Sequence, residues 1–172
     1  MRSGLYPGEL SESVYGFDFD KAVASGIKGV LFDIDNTLVP HDAPADQRSI
    51  AFLSALREKG LRLGLVSNNR EPRVKAFSEA CGGIDYVFLA KKPSPEGYRR
   101  LCAMLGIREE EALFFGDQLF TDIWGANNAG IRSVLVEPVD KSSDLPRIKF
   151  KRILEKPILF MYKNGHKGKK SF

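Results

Sequence analysis

Cysteine is scarce in this sequence, whose 172 residues include only Cys81 and Cys102. Their spacing matches neither a zinc-binding nor a redox motif. Two cysteines are enough for one disulfide in a secreted protein, but buried free thiols in a reducing cytoplasm are the preferred interpretation. The cysteines therefore indicate no metal centre of their own.

Long apolar runs are also missing. No stretch approaches the roughly 20 consecutive apolar residues of a membrane-spanning helix. The first residues lack the basic region and following apolar run of a signal peptide. We therefore expect a cytoplasmic protein, with any membrane contact peripheral and at the inner face.

The composition is that of an ordinary globular protein, with 43% hydrophobic and 28% charged residues. The length suits one compact domain, and neither internal repeats nor low-complexity linkers interrupt it. We expect an N-terminal extension at residues 1–26, a core domain at 27–140, and a C-terminal basic helical segment with a tail at 141–172.

Acidic residues are nearly absent from the C-terminal end. Residues 147–172 contain nine Lys or Arg and one acid, Glu155, and so carry a net charge of +8. Because the whole chain carries +4, residues 1–146 carry −4. Pro157 is expected to limit any helix here or to begin a new one. Residues 164–170 are predicted to form a disordered basic end.

Short apolar segments alternate with helical patterns along the core. Strands are predicted at about 28–32, 61–66, 86–89, 112–115 and 132–136. Helices are predicted at about 18–25, 46–59, 72–80, 94–105 and 121–129. This alternation is typical of an α/β fold, a doubly wound Rossmann-like three-layer sandwich with a mainly parallel sheet of about five strands. Trp124 and the pair Phe114–Phe115 are predicted to be core residues.

Polar side chains follow the first four predicted strands, beginning with Asp33 and Asp35. Residues two apart on an extended chain point to the same side, and two carboxylates so close repel unless a cation neutralises them or one is protonated. Because the carboxyl ends of parallel strands meet at one edge of the sheet, the later groups are expected beside this pair. They are Ser67, Asn68 and Asn69, then Lys91 and Lys92, then Asp117 and Asp122.

Each group taken alone has an ordinary structural interpretation as a helix cap or a solvated turn. Their occurrence in order at four successive strand ends favours a site that binds a metal and a phosphate group. For Asn69, Arg70, Lys91 and Gln118 the structural and functional interpretations stay balanced.

Four segments resemble, in order, the motifs of the haloacid dehalogenase-like phosphatase superfamily. They are Asp33-Ile34-Asp35-Asn36-Thr37, Val66-Ser67-Asn68-Asn69, Lys92-Pro93 and Gly116-Asp117-Gln118-Leu119-Phe120-Thr121-Asp122. The resemblance covers about residues 27–140. The last motif with its Lys-Pro context is similar to an uncapped subgroup containing phosphatidylglycerophosphate phosphatases and bacterial relatives.

The resemblance implies a Mg²⁺-dependent phosphatase with an aspartyl-phosphate intermediate. Asp33 is then the nucleophile and Asp35 the acid and base, while Asp33, the Asp35 carbonyl and Asp117 hold the metal. Ser67 and the Asn68 backbone N–H would bind phosphate oxygens, and Lys92 would stabilise the transition state. The resemblance implies that Asp122 holds either Lys92 or a metal-bound water.

The spacing between the motifs leaves no room for a cap domain over the site. An uncapped site suits a bulky substrate such as a lipid headgroup, a protein or a polymer. Phosphatidylglycerophosphate is the leading substrate hypothesis. A soluble phosphate, a nucleotide or a phosphoprotein is the alternative, and a small molecule would fit if oligomerisation closed the site.

The basic C-terminal segment leaves several interpretations open. Its amphipathic, Lys-rich character suits an anionic membrane surface and would equally suit RNA, but a solvated helix packed on the sheet is commoner than either. A different class of function is a non-catalytic module that binds RNA or a partner protein through this segment. The complete set of motifs disfavours that class, and nucleic acid is accordingly not a favoured partner.

Overall fold

The computed structural model describes residues 4–165 and contains a six-stranded, wholly parallel sheet. The strands lie in the order β1-β6-β5-β2-β3-β4. Their bounds are Glu9–Ser11 (β1), Gly29–Phe32 (β2), Arg62–Val66 (β3), Asp85–Val87 (β4), Ala112–Gly116 (β5) and Arg132–Val136 (β6). The predicted α/β doubly wound fold is confirmed.

The five predicted strands are all present, and a sixth precedes them. β1 pairs in parallel with β6, with Glu9 opposite Val134. Three residues with alternating partial exposure carry no continuous apolar signal, so the first strand is missed by hydrophobic patterning. The segment before residue 27 also contributes Val14 and Phe19 to the core.

Six α-helices lie within residues 4–165. They are α1 (Phe19–Ala24), α2 (Gln47–Glu58), α3 (Glu71–Ala80), α4 (Glu96–Leu105), α5 (Trp124–Ala129) and α6 (Pro146–Gly165). Asp46 caps α2, accepting a hydrogen bond from the Ser49 amide at 2.7 Å. Gly106 ends α4 with a φ of 62°, which a residue without Cβ adopts without steric cost.

The helices cover both faces of the sheet. One core packs α1, α2 and α3 on one face, with Leu53 and Phe77 among its buried residues. The other packs α4 and α5 on the opposite face around Tyr98 and Leu101. Cys81 and Cys102 are buried free thiols, one in each core, as predicted.

Two predictions about the later part of the chain are wrong. Trp124 is 39% exposed, although Phe114 and Phe115 are fully buried as expected. Pro157 does not end the helix, because α6 runs through it to Gly165. Pro157 and Ile153 lie on the exposed side of α6, where water can satisfy the carbonyl that loses its helical partner.

The last residues are described only in part. The predicted disordered end at 164–170 lies outside the described residues from position 166 onward. Among residues 4–165, no helix is both long and apolar enough to cross a membrane.

A small third cluster, Leu119, Ile123 and Leu135, packs against Ile158 and Leu159 of α6. This contact places α6 beside the ends of β5 and β6.

Candidate active site

Asp33 lies at the carboxyl end of the central strand β2. Its amide donates to the Phe115 carbonyl at 2.9 Å, extending the pairing with β5 by one residue. The chain then turns sharply, since the Ile34 carbonyl accepts from the amides of Thr37 and Leu38 at 3.3 and 3.0 Å. This turn fixes Asp33 where the strand order changes direction, the usual ligand crevice of an open α/β sheet.

Lys92 bridges two buried carboxylates. Its Nζ donates to Asp33 Oδ1 and to Asp122 Oδ1, both at 2.6 Å. The two carboxylates outweigh burial and raise the pKa of Lys92, whereas burial raises the pKa of Asp33 to about 7 despite the neighbouring ammonium. The bridge keeps Lys92 charged and places that charge next to Asp33.

The loops after β3 and β4 hold Lys92 in place. Asn68 Oδ1 accepts from the Lys92 amide at 2.7 Å, and Asn68 Nδ2 donates to the Lys92 carbonyl at 3.3 Å. Ser67 Oγ accepts from the Asn69 amide at 3.1 Å. Among residues 4–165, no hydrogen bond uses the backbone N–H of Asn68, so it is available to a ligand.

Three carboxylates converge beside Lys92. One oxygen from each of Asp33, Asp117 and Asp122 lies within 4.8 Å of the others, and all three residues are buried. Burial and the neighbouring acids raise the pKa of Asp117 well above its ordinary value. Gly116 is required here, because a Cβ would lie 2.4 Å from the Cβ of Asp122.

This arrangement fits a hard divalent cation. Asp117 Oδ1 is buried and has no hydrogen-bond partner among the described residues. A buried carboxylate oxygen without a partner is costly, and a cation with oxygen ligands removes that cost. The acidic cluster can therefore hold a metal ion.

Asp35 faces a different set of partners. Its Oδ1 accepts from Arg73 Nη2 and from the Asp42 amide, both at 3.0 Å, and its Oδ2 accepts from Asn69 Nδ2 at 2.5 Å. These contacts fix the carboxylate at the mouth of the site. Arg73 lies in the first turn of α3, and no sequence pattern distinguished it from a solvated helix residue.

Most of the predicted site residues line one open cavity of about 390 Å³. Asp33, Asp35, Ser67, Asn68, Lys92 and Asp117 are all on its wall. Asp122 is not on the wall and reaches the site through Lys92. The resemblance implies that Asp122 holds either Lys92 or a metal-bound water, and the structure contains the contact with Lys92.

The C-terminal helix contributes contacts to the site that the sequence did not predict. Arg152 of α6 donates to Asp117 Oδ2 at 2.5 Å and to the Asp117 carbonyl at 3.0 Å, and its other contacts are with Asp144. Glu155 Oε1 accepts from the Leu119 amide at 2.8 Å. Within a run of basic residues, neither position carries a pattern that predicts a buried partner.

The fold and the site together define a phosphoryl-transfer hydrolase of the α/β class. A profile of haloacid dehalogenase-like hydrolases matches residues 44–130. The probable phosphatase YqeG of Bacillus subtilis is 37% identical over 168 residues, which span 96% of each chain. The chain belongs to the haloacid dehalogenase-like hydrolase family and is a phosphatase of that family.

Other relatives are matched over less of their length. Phosphatidylglycerophosphate phosphatase 1, chloroplastic, of Chlamydomonas reinhardtii is 32% identical over 136 residues, 74% of this chain and 51% of that protein. The chain spans about half or less of several other curated relatives. An uncharacterized Listeria monocytogenes structure superposes with a TM-score of 0.54 at 17% identity, covering 80% of this chain and 99% of that one, and shows the fold.

Proposed function

We propose that this protein is a Mg²⁺-dependent phosphomonoesterase whose residues 27–140 form the catalytic unit and whose reaction passes through an aspartyl-phosphate on Asp33. The observation that carries the proposal is the buried group of Asp33, Asp117 and Asp122 around Lys92. A carboxylate nucleophile beside a fixed ammonium and an unpartnered acidic oxygen is suited to attack on phosphorus.

Asp33 starts the reaction by attacking phosphorus. An oxygen–phosphorus bond forms to Asp33 while the bond from phosphorus to the substrate alcohol breaks. Asp35 then delivers a proton to the leaving alkoxide and removes one from the water that attacks the aspartyl-phosphate. The water oxygen bonds to phosphorus as the bond from phosphorus to Asp33 breaks, which releases inorganic phosphate and regenerates Asp33.

The other residues position and stabilise the transferring group. Lys92 compensates the charge that develops on the phosphoryl oxygens. Ser67 Oγ and the free Asn68 amide offer hydrogen bonds to the same oxygens. Asn69 and Arg73 hold the Asp35 carboxylate in one orientation for both proton transfers.

Asp33, the Asp35 carbonyl and Asp117 would hold the Mg²⁺. When bound, the ion would shield Asp33 from the negative phosphate and orient the group for transfer. Asp117 Oδ1 is suited to ligation because Arg152 already occupies Oδ2.

We propose phosphatidylglycerophosphate as the substrate. The cavity is open to solvent, and no described segment forms a domain over it. Partial similarity to the Chlamydomonas phosphatidylglycerophosphate phosphatase supports a lipid headgroup. The same chemistry on a soluble phosphate, a nucleotide or a phosphoprotein is the alternative.

We further propose a cytoplasmic enzyme that works on the inner face of an anionic membrane through α6. The outer face of this helix is an apolar stripe of exposed side chains, and Phe150 and Phe160 are 62% and 68% exposed. The stripe comprises Phe150, Ile153, Leu154, Pro157, Phe160 and Met161. Exposed Lys149, Lys156 and Lys163 flank it. An apolar face bordered by lysines is typical of helices that lie in the plane of anionic bilayers.

The deciding experiment measures phosphate release from phosphatidylglycerophosphate in mixed micelles. It compares Mg²⁺ with EDTA and the unmodified protein with Asp33→Asn, using the exposed Asp85→Asn as the charge control. Turnover that requires Mg²⁺ and Asp33 but not Asp85 is expected. Activity on an aryl phosphate alone would support the phosphatase mechanism and reject phosphatidylglycerophosphate as the substrate. No activity on either substrate would reject the proposed mechanism.

A further inference from the structure

Two cations of α6 lie on the wall of the active-site cavity. Arg147 and Lys151 are four residues apart, so they are neighbours on one side of the helix, and both line the cavity that contains Asp33. Among residues 4–165, neither side chain makes an ion pair or a hydrogen bond. The cavity wall therefore carries two cations that are available to pair with an anionic ligand.

These charges lie apart from the groups expected to hold the reacting phosphate. Ser67 and Lys92 follow β3 and β4, on one side of β2, whereas α6 packs beside the ends of β5 and β6 on the other side. Asp33, at the end of β2, lies between the two groups. A ligand that places its phosphoryl group at Asp33 can extend toward Arg147 and Lys151.

Two anchors fix the rotation of α6. Arg152 binds Asp117, and Glu155 accepts from the Leu119 amide, so one turn of the helix is tied to the loop after β5. Ile148, between the two cations in sequence, is buried and lines the same cavity. The side of α6 that carries Arg147 and Lys151 therefore faces the cavity in a defined register.

The rest of the cavity disfavours a second negative group. Asp33, Asp35, Asp117 and Asp144 all line it, and Lys92 is already shared between two carboxylates. A substrate with one phosphate would leave Arg147 and Lys151 unused, whereas a second anion on the leaving alcohol would meet both.

We propose that Arg147 and Lys151 form a subsite for a second anionic group of the substrate, and that the enzyme prefers phosphomonoesters whose alcohol carries a phosphodiester. The inference rests on the proposed phosphatase function and defines the substrate class of that site. Both phosphatidylglycerophosphate and its deacylated, water-soluble headgroup have this chemistry, so the subsite recognises the diester rather than the acyl chains.

The test compares kcat/KM for the deacylated headgroup with kcat/KM for an aryl phosphate that has no second anion. Arg147→Gln and Lys151→Gln should each lower the ratio of the two values about tenfold, mainly through KM for the headgroup, because each removes one charge-assisted contact. Lys151→Arg should restore most of the ratio. Arg100→Gln, which removes an exposed charge from α4, should leave the ratio within about twofold of the unmodified protein.

Each outcome has a distinct meaning. If Arg147→Gln and Lys151→Gln gave the same ratio as Arg100→Gln while the unmodified protein was active, the subsite would be overturned and the proposed phosphatase would stand. A defect confined to the diacyl substrate in micelles would also overturn it, because the cations would then act on the lipid surface. An unmodified protein inactive on every phosphate ester would reject both proposals. Matched thermal unfolding curves establish that the variants are folded.

The dephosphorylated diester gives a second readout. It lacks the reacting phosphate but retains the second anion, so it should inhibit aryl phosphate hydrolysis competitively in the unmodified protein. The double variant Arg147→Gln/Lys151→Gln should raise that inhibition constant at least about tenfold. An unchanged inhibition constant would contradict the subsite.

Discussion

Two cations in this phosphatase each bridge a pair of buried carboxylates, and they come from different regions. Lys92 follows β4 and joins Asp33 to Asp122. Arg152 belongs to α6 and joins Asp117 to Asp144. The side chain of Lys92 is 4% exposed and that of Arg152 is 17% exposed. The first bridge places a positive charge beside Asp33, the proposed nucleophile, whereas the second binds Oδ2 of Asp117.

In both bridges one cation compensates two buried carboxylates, but only the Lys92 bridge includes the proposed nucleophile. Replacing the Lys92 bridge should affect chemistry and folding together, because Asp33 is the proposed nucleophile. Replacing the Arg152 bridge should affect folding and the placement of α6 more than the chemical step. Variants of Lys92 and Arg152 can therefore separate effects on catalysis from effects on folding and on the placement of α6.

The largest effect is expected for Lys92→Gln. Loss of the ammonium leaves Asp33 and Asp122 buried without a charged partner, which costs about 3–5 kcal/mol of unfolding free energy. Loss of transition-state stabilisation should lower kcat about 10²–10³-fold. Denaturant unfolding and aryl phosphate hydrolysis measure the two effects. The neighbouring Lys91→Gln, an exposed side chain, is the matched control and should change neither beyond experimental scatter.

Arg152→Gln should have the next largest effect, on the unfolding free energy. It leaves the buried Asp117 and Asp144 without their guanidinium, and we expect a loss of about 2–4 kcal/mol, below the Lys92 effect because Arg152 is partly solvated. Denaturant unfolding measures it, with the exposed Lys149→Gln on the same helix as control. A loss equal to that of Lys149→Gln would show that α6 does not depend on this bridge.

The two regions also differ in how far the sequence predicts them. Asp33, Ser67, Lys92 and Asp117 follow apolar strands, so their convergence on one cavity could be predicted from parallel sheet geometry. Their chemical roles stay predictions until variants are assayed. The order and spacing of the strands along the sequence are sufficient to predict this convergence, because a parallel sheet brings the carboxyl ends of its strands to one edge.

The contribution of α6 could not be predicted in the same way. Arg152 contacts Asp117 across 35 positions of sequence, and Glu155 contacts Leu119 across 36. In a segment with nine cations and one acid, the residue that turns inward is chosen by tertiary packing rather than by a local motif. The first strand was missed for a related reason, since β1 is three residues long and is specified by its pairing with β6.

The apolar stripe on the outer face of α6 provides a smaller, third effect. Phe150→Ser/Phe160→Ser should weaken binding to vesicles containing anionic phosphatidylglycerol about 10–100-fold, because two exposed rings lose apolar area available for burial in the interface. Vesicle co-sedimentation measures this. The unfolding free energy should change little, since both side chains are exposed.

Met104→Ser is the control for the stripe, because Met104 is exposed on α4 rather than on α6. It should bind vesicles like the unmodified protein. Equal binding by the Phe150→Ser/Phe160→Ser variant would reject α6 as the membrane-facing element. If the stripe instead joined two copies of the chain, sedimentation equilibrium would show a dimer that this variant dissociates.

The smallest effect is expected for Glu155→Gln, and it depends on pH. Burial raises the pKa of Glu155 to about 7 from an ordinary 4.5, despite the hydrogen bond from the Leu119 amide. The folded state therefore holds a proton that the unfolded chain releases above about pH 4.5, so Glu155 makes the unfolding free energy fall as pH rises from about 5 to 7. Glutamine keeps the acceptor oxygen and removes the titration.

The variant and the unmodified protein should accordingly have similar unfolding free energies near pH 5, and the variant should be more stable by about 1–2 kcal/mol near pH 7.5. Denaturant unfolding across this range measures the divergence. Asp33 and the other acids of the site are common to both proteins, so their titration largely cancels in the difference. Glu58→Gln removes the same charge from an exposed position on α2 and should give a profile parallel to the unmodified protein. Parallel profiles for Glu155→Gln as well would mean that Glu155 is ionised in the fold throughout this range, and that the α6 anchor at Leu119 is a charged contact like the Arg152 bridge.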